Sequence, residues 1–500
     1  MYRKPLAAAI ALSVGVGLTG CLDSDSSDNG SGVEAPETYS FDSRFINGEE
    51  SAQYPGQITR HVLIDDLNTE MASKFQERID GGTWNDNTEK SEVLGVLENY
   101  YRDGTAAIGG DPILLSTDPE TKQDTYNEIA SGKNLVGKTA GNDDVTDHKD
   151  WDNGGFQGWD TTADPDSPEA LIDDLFDRLA DRTLVRAKGN QPKDPVKQEE
   201  NLTVYHTTDG LDLKQLIQKF LLGAVAFSQG ADDYLDDDVD GKGLLTDNTS
   251  QDGDAPYSAL EHQWDEGFGY FGAARDYLDY SDAEIAGKSS SRDDVREAYE
   301  GGYHDSNGDG KIDLVGEFNF GNSQNAAKRD LGSESGTDFT QQAFDAFVTG
   351  RAIIAQADGE LSDAQMADLK EQRDLAVDAW EKSVAATVVH YINDTLGDMK
   401  DWENDQENGT SEYSYIDHTK HFGELKGFAL GLQFNPRSPM NENGRFAEFH
   451  NLVGEKPVLP PQGSTGTSQS EFDAYEQDLL DARAIMKEAY GFEEADVKNW

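Results

Sequence analysis

Apolar residues recur at intervals of three and four through several long stretches, the period of an amphipathic helix. Over 57–75 they are Ile58, Val62, Leu63, Leu67 and Met71. Ser167-Pro168-Glu169 supplies a cap, a proline for the first turn and an acid for the helix dipole, so a helix is expected from there to about Ala180. The stretch 211–229 is apolar nearly all round (Leu213, Leu216, Ile217, Phe220, Leu221, Ala224, Val225), which predicts a central helix. Helices are also expected over 258–280 and 339–355. Ser362-Asp-Ala-Gln365 is a capping box opening the longest, about 362–398, with Met366, Leu369, Leu375, Trp380, Val384, Val388 and Ile392. Two more follow at about 417–434 and 470–490, and no run alternates as a strand would. Glycine and proline punctuate loops at 104–120, 140–166, 236–257 and 301–336. The expectation is an all-α fold, a helical bundle with long acidic loops. The pattern accommodates one large domain over 38–495 or two bundle halves, 38–335 and 336–495.

Charge narrows the function. The 500 residues carry 41 Lys and Arg against 98 Asp and Glu, a net −57. A phosphate backbone would be repelled almost everywhere, which argues against nucleic-acid binding, and an anionic lipid surface fares no better. Such a carboxylate excess keeps a protein soluble in salt and gives cations many places to sit.

The first residues read as an address. Arg3 and Lys4 form a positive start, Pro5 to Leu18 an apolar stretch too short to span a bilayer, and Leu18-Thr19-Gly20-Cys21 resembles a bacterial lipoprotein lipobox. Residues 1–20 are then expected to be removed as a signal peptide and Cys21, the only cysteine, to carry the lipid. Residues 21–37, rich in Gly, Ser and Asp, read as a tether. Leu22 after the lipid cysteine suggests the outer membrane, and the lipid on Cys21 is the only membrane contact expected. Without a second cysteine, disulfide and thiol chemistry are out.

Two histidine motifs stand on predicted helices. In Glu261-His262-Gln-Trp-Asp265-Glu266 the imidazole shares a helical face with both later acids. His418-Thr-Lys-His421-Phe-Gly-Glu424 repeats the pattern, and His390 lies near the end of the long helix. Imidazole and carboxylate one turn apart can bite a single ion without bending the helix, as in helical-bundle metal sites. The same spacing also makes ordinary helical salt links. The transition-metal set expected here is His262, Asp265, Glu266, His421, Glu424 and His390, with iron or another transition metal as the ion.

Calcium is a separate signal. Asp305, Asn307, Asp309, Gly310, Ile312 and Asp313 follow the EF-hand loop, with Lys311 at the position that offers its carbonyl. Position 12 is Gly316, and Glu317 arrives one residue late. An Asx-rich turn without an ion is the other reading. A second loop offers Asp236, Asp238, Asp240 and Asp247, with Gly243 where an aliphatic residue is usual. Calcium in either would order a long acidic loop. No phosphate-cradling GxxxxGK[ST], HExxH or CxxCH occurs.

The stretches Glu261–Gly272, Glu317–Asp330 and His421–Pro436, with Tyr39-Ser-Phe-Asp-Ser-Arg-Phe45 and Gly56-Gln-Ile-Thr-Arg-His61, are similar to the bacterial lipoproteins called domain of unknown function 4856. That resemblance covers about 38–495 and implies a helical envelope protein without an established activity. A more distant similarity is to imelysin-like proteins, whose Gly-x-His-x-x-Glu motif is associated with metal. Here His262 matches the histidine, Asp265 replaces the Glu and Leu260 the Gly. The expected function is a non-enzymatic, lipid-anchored protein that handles iron or its complexes. An imelysin-type metallopeptidase and a calcium-ordered scaffold or partner-binding lipoprotein are the alternatives.

Overall fold

Helix after helix begins where a side chain can take up the orphan N–H groups of a first turn. The computed structural model describes residues 33–142, 147–287, 295–357 and 359–500. The signal segment 1–20, Cys21 and most of the tether lie outside the described residues. The helices that build the core are α1 (Pro55–Thr69), α2 (Lys90–Glu98), α3 (Pro168–Ala187), α4 (Leu213–Leu221), α5 (Ala259–Phe271), α6 (Gly321–Leu331), α7 (Phe339–Gln356), α8 (Asp363–Asn408), α9 (Tyr415–Gly431), α10 (Arg445–Val453) and α11 (Gln469–Tyr490). Capping boxes open α5 (Ser258, Glu261), α8 (Ser362, Gln365) and α11 (Ser468, Glu471). Left-handed Gly272, Gly409 and Gly491 end the same three helices. The described residues are all-α: the extended pairings among them are isolated bridges. None of the described helices is long and apolar enough to cross a membrane.

The 46-residue α8 is the spine, packed by α6, α7, α9 and α11. Its Trp380 is fully buried against Phe227 and Phe271, at ring separations of 5.2 and 5.4 Å. Helices from either side of residue 335 interleave: α4 lies on α9, α5 on α7 and α6 on α8. The segment from Val33 to Trp500 is one compact unit.

Where the elements depart from expectation, the reason is local. The predicted 211–229 helix keeps its path but widens into two π-helical turns, Leu222–Phe227 and Gln229–Tyr234. The predicted 258–280 helix stops at Phe271, because Gly272 adopts a left-handed conformation against the Phe320 carbonyl. The long helix runs ten residues past its expected end, carried by Met399, Trp402 and Asp405, all buried. Helix α6 lies inside the expected 301–336 loop, and α2 and α10 lie where no element was expected. Mean hydropathy hides α6, whose buried face is Asn322, Ser323, Asn325, Ala326 and Ala327.

Candidate functional site

Among the described residues no group of three or more His, Cys, Asp and Glu side chains stands around a common point ready to hold an ion. The two predicted histidine motifs do not form one site; each has its own partners.

On α5 the motif splits across two faces. Asp265 is fully buried and accepts from Arg351 Nε at 2.8 Å, Tyr39 Oη at 2.8 Å and the Gln53 amide at 3.3 Å. Arg351, itself fully buried, donates to Glu261 at 3.1 Å and to Ser51 Oγ at 2.8 Å. This is an internal ion-pair network that ties the segment 39–53 to α5 and α7. His262 instead stacks on Tyr257 at 4.3 Å, with Nε2 3.7 Å from Glu266, which also accepts from Gln57 Nε2 at 2.7 Å.

The second motif meets α8. His390, Asp394 and Asp398 stand at successive turns of one helical face. His421 of α9 faces them. Its Nδ1 lies 2.8 Å from Asp398 Oδ2, and its Nε2 3.8 Å from Asp394 Oδ2. His390 Nε2 lies 3.3 Å from the same Asp394 oxygen. The pocket is partly buried: side-chain exposure is 29% at His390, 33% at Asp394, 19% at His421 and 10% at Asp398. Burial lowers the His421 pKa, but the Asp398 hydrogen bond and charge raise it further, to a net value above the ordinary one. Burial pushes Asp398 up to about 6, with His421 drawing it back. Buried Arg329 of α6 adds positive charge beside Asp394 and Tyr391, although its own pKa is pushed down to about 10 by burial. Glu424 turns away, 3.8 Å from Lys219 of α4 and 3.9 Å from Lys420. Thus the structure brings His390 and His421 together, places Glu424 at the margin of their pocket, and leaves His262, Asp265 and Glu266 elsewhere. Asp394 and Asp398 were missed, although four and eight residues after His390 is a legible spacing. His418 is buried against Tyr413, its imidazole pushed down to about 3 by burial.

The predicted calcium loop folds around its own backbone. Asp305 accepts from the amides of Gly308, Asp309 and Gly310 at 2.8–3.1 Å. Asn307 accepts from the Asp309 amide at 2.9 Å, and Asp309 from the Lys311 amide at 3.0 Å. Glu317 reaches back to the amides of Ser306, Asn307 and Asp313 at 2.8–3.2 Å. Asp313 faces outward to Lys122 at 2.7 Å and Gln123 at 2.8 Å. Ile312 is fully buried, with its backbone bonded to Glu120 and Lys122. In the second loop Asp236 pairs with Arg437 and Arg373 and lies against the exposed Asp238, while Asp247 accepts from Thr249 and Asp240 is exposed.

Residues 170–285, which run from α3 through α5, match the sequence model of the family described as Domain of unknown function (DUF4856). No curated protein and no solved structure matches the chain.

Proposed function

For a chain that belongs, through residues 170–285, to the family described as Domain of unknown function (DUF4856), we propose a lipid-anchored envelope protein that holds a transition metal between α8 and α9. The observation that carries this reading is the shared carboxylate. Asp394 Oδ2 stands 3.3 Å from His390 Nε2 and 3.8 Å from His421 Nε2. Adjacent ligands on a tetrahedral ion with bonds of about 2.0–2.2 Å stand roughly 3.3–3.6 Å apart. The site therefore forms on binding, when the ion draws His421 inward by a few tenths of an ångström. Asp398 supports it from behind: a carboxylate on the far nitrogen of a ligating histidine fixes the tautomer and makes the ligand more basic. Two imidazoles and a carboxylate suit iron, zinc or manganese, and iron is the ion proposed. Calcium at Asp305, Asn307 and Asp309 takes a structural role, stiffening the joint between 305–317 and 120–123. The lipid on Cys21 and an outer-membrane address complete the reading.

Elemental analysis of the full chain, purified without chelator or His-tag, tests it. Near-stoichiometric transition metal is expected in the parent and in His262→Ala, and loss of it in His390→Ala and in His421→Ala. A folded parent that retains none after chelator-free purification and iron add-back overturns the proposal. The same preparation reads bound calcium directly, and its N-terminal mass reads the lipid.

A further inference from the structure

Arg329 of α6 is only 8% exposed, yet among the described residues its guanidinium makes no hydrogen bond and no ion pair. Nε is sealed from solvent without a partner, whereas Nη1 and Nη2, equally unbonded, are not sealed. The other buried arginines are satisfied. Arg351 donates to Asp265, Glu261 and Ser51, Arg373 to Asp374, Asp237 and the Leu235 carbonyl, and Arg60 to the Asn134 and Gly56 carbonyls. A buried guanidinium without acceptors costs free energy that a bound anion would recover. Its rigid fork of N–H donors matches the two oxygens of a carboxylate.

The neighbours of Arg329 place the missing acceptor. The charge it feels comes from Tyr391 and Asp394 of α8, and it lowers the pKa of Asp394 in return. Asp394 is the carboxylate that His390 and His421 share. Each acid of that pocket has its own partner: Asp394 the two imidazoles, Asp398 His421 at 2.8 Å, and Glu424 Lys219 at 3.8 Å and Lys420 at 3.9 Å. Arg329 is the charge left over. His390, Asp394 and His421 supply three ligands, and a tetrahedral ion takes a fourth. The pocket is open to solutes at Asp394, whose side chain is 33% exposed.

We infer that the fourth ligand is a small carboxylate, with one oxygen on the ion and the other on the Nη edge of Arg329. This rests on the metal site proposed between α8 and α9, and adds what the ion is held with. Phosphate, with nearly two charges at neutral pH, is repelled more strongly by Asp394, Asp398 and Glu424 than a singly charged carboxylate is.

Cobalt(II) loaded into the full chain in nonionic detergent reports the site through its visible absorption, and sodium acetate is the probe. A site that holds iron(II) holds cobalt(II) at least as well. Elemental analysis of cobalt accompanies each titration. A saturable acetate-dependent change in the cobalt spectrum is expected, with inorganic phosphate binding about fivefold more weakly. Arg329→Gln and Arg329→Lys should each take up cobalt but bind acetate about tenfold and about threefold more weakly, since the first loses charge and fork and the second the fork alone. The lysine variant keeps the test intact if the glutamine variant does not fold. A parent that takes up no cobalt overturns the metal reading and this inference with it. A cobalt-loaded parent with no saturable acetate response, or with no preference for acetate over phosphate, overturns this inference alone. So does acetate affinity within twofold of the parent's in a folded, cobalt-loaded Arg329 variant.

Discussion

Glu381 of α8 is 2% exposed and carries three short-range donors from distant chain: Asn435, Ser438, and Tyr490 at 2.7 Å. Among the described residues no cation is paired with it; burial pushes its pKa up to about 7, against the pull of those hydrogen bonds. A raised acid pKa means the folded state holds the proton more tightly than the unfolded one. Its stabilising contribution is full below the ordinary value of 4.5 and disappears as pH rises through about 7. Glu381→Gln keeps the shape and cannot ionise. The parent should therefore lose stability relative to Glu381→Gln between pH 4.5 and 8, by about 3 kcal/mol at most. Denaturant midpoints of both proteins at pH 4.5, 6 and 8 read this; a constant gap refutes it. At this scale sequence spacing located side chains but not their partners. His262 and Asp265 do lie one turn apart on α5, yet Arg351, which decides what Asp265 does, is 86 residues away. Nothing in the local pattern marks Arg351 or Tyr39. The reverse holds at His390, where the acids Asp394 and Asp398 follow at helical intervals on the same element.

Helix α9 shows how an element can be recognised while its packing is overlooked. Its apolar period and its length were legible, to within a few residues at each end. Its three glycines, at 423, 427 and 431, form a stripe at intervals of four, and each lies against the neighbouring α4 segment. A β-carbon at Gly427 would stand 2.6 Å from Lys219 Cβ, and one at Gly423 2.9 Å from the Asp212 carbonyl. Gly431 meets Gly223 backbone to backbone: a β-carbon on Gly223 would come within 2.7 Å of Gly431 Cα. That close approach fixes how deep α9 sits, and so where His421 points. Gly223→Ala should force the pair apart and destabilise the protein by about 1–3 kcal/mol, the usual cost of overpacking. Gly95→Ala is the control, because no atom lies within 4 Å of the added methyl in α2. It should be neutral or stabilise by up to about 1 kcal/mol through helix propensity. The thermal midpoint of Gly223→Ala should fall while that of Gly95→Ala holds or rises; equal shifts would remove the packing argument. Where elements were missed, the periodic signal itself was weak. Helix α6 buries amides and alanines, and the π-helical turns after α4 break the 3.6-residue period from within a continuous apolar run.

At the scale of the whole molecule, composition bears on stability more directly than on fold. A net charge of −57 over the 500 residues, nearly all of it on the one compact unit Val33–Trp500, creates self-repulsion that the ion pairs only partly offset. Some of those pairs are wholly exposed, such as Lys74–Glu77, Lys487–Glu494 and Lys498–Glu494, and such pairs contribute little. The fully buried pairs, Arg351 with Asp265 and Glu261, are largely beyond the reach of salt. Added salt thus weakens two opposing effects unequally. It screens a few small attractions between exposed charges, and it screens a repulsion summed over a 57-charge excess. The screening length falls from about 14 Å at 0.05 M to about 3 Å at 1 M, below the spacing of most surface carboxylates. Repulsion is relieved more than attraction is lost, so the protein should become more stable as sodium chloride rises across that range. Chloride is the anion of choice, because sulfate would also strengthen hydrophobic burial and confuse the cause. The expected result is a thermal midpoint that climbs by several degrees and flattens toward 1 M, with Arg351-centred packing unchanged by near-ultraviolet dichroism. A midpoint that falls with sodium chloride would mean that the exposed ion pairs act as a cooperative network and outweigh the excess charge.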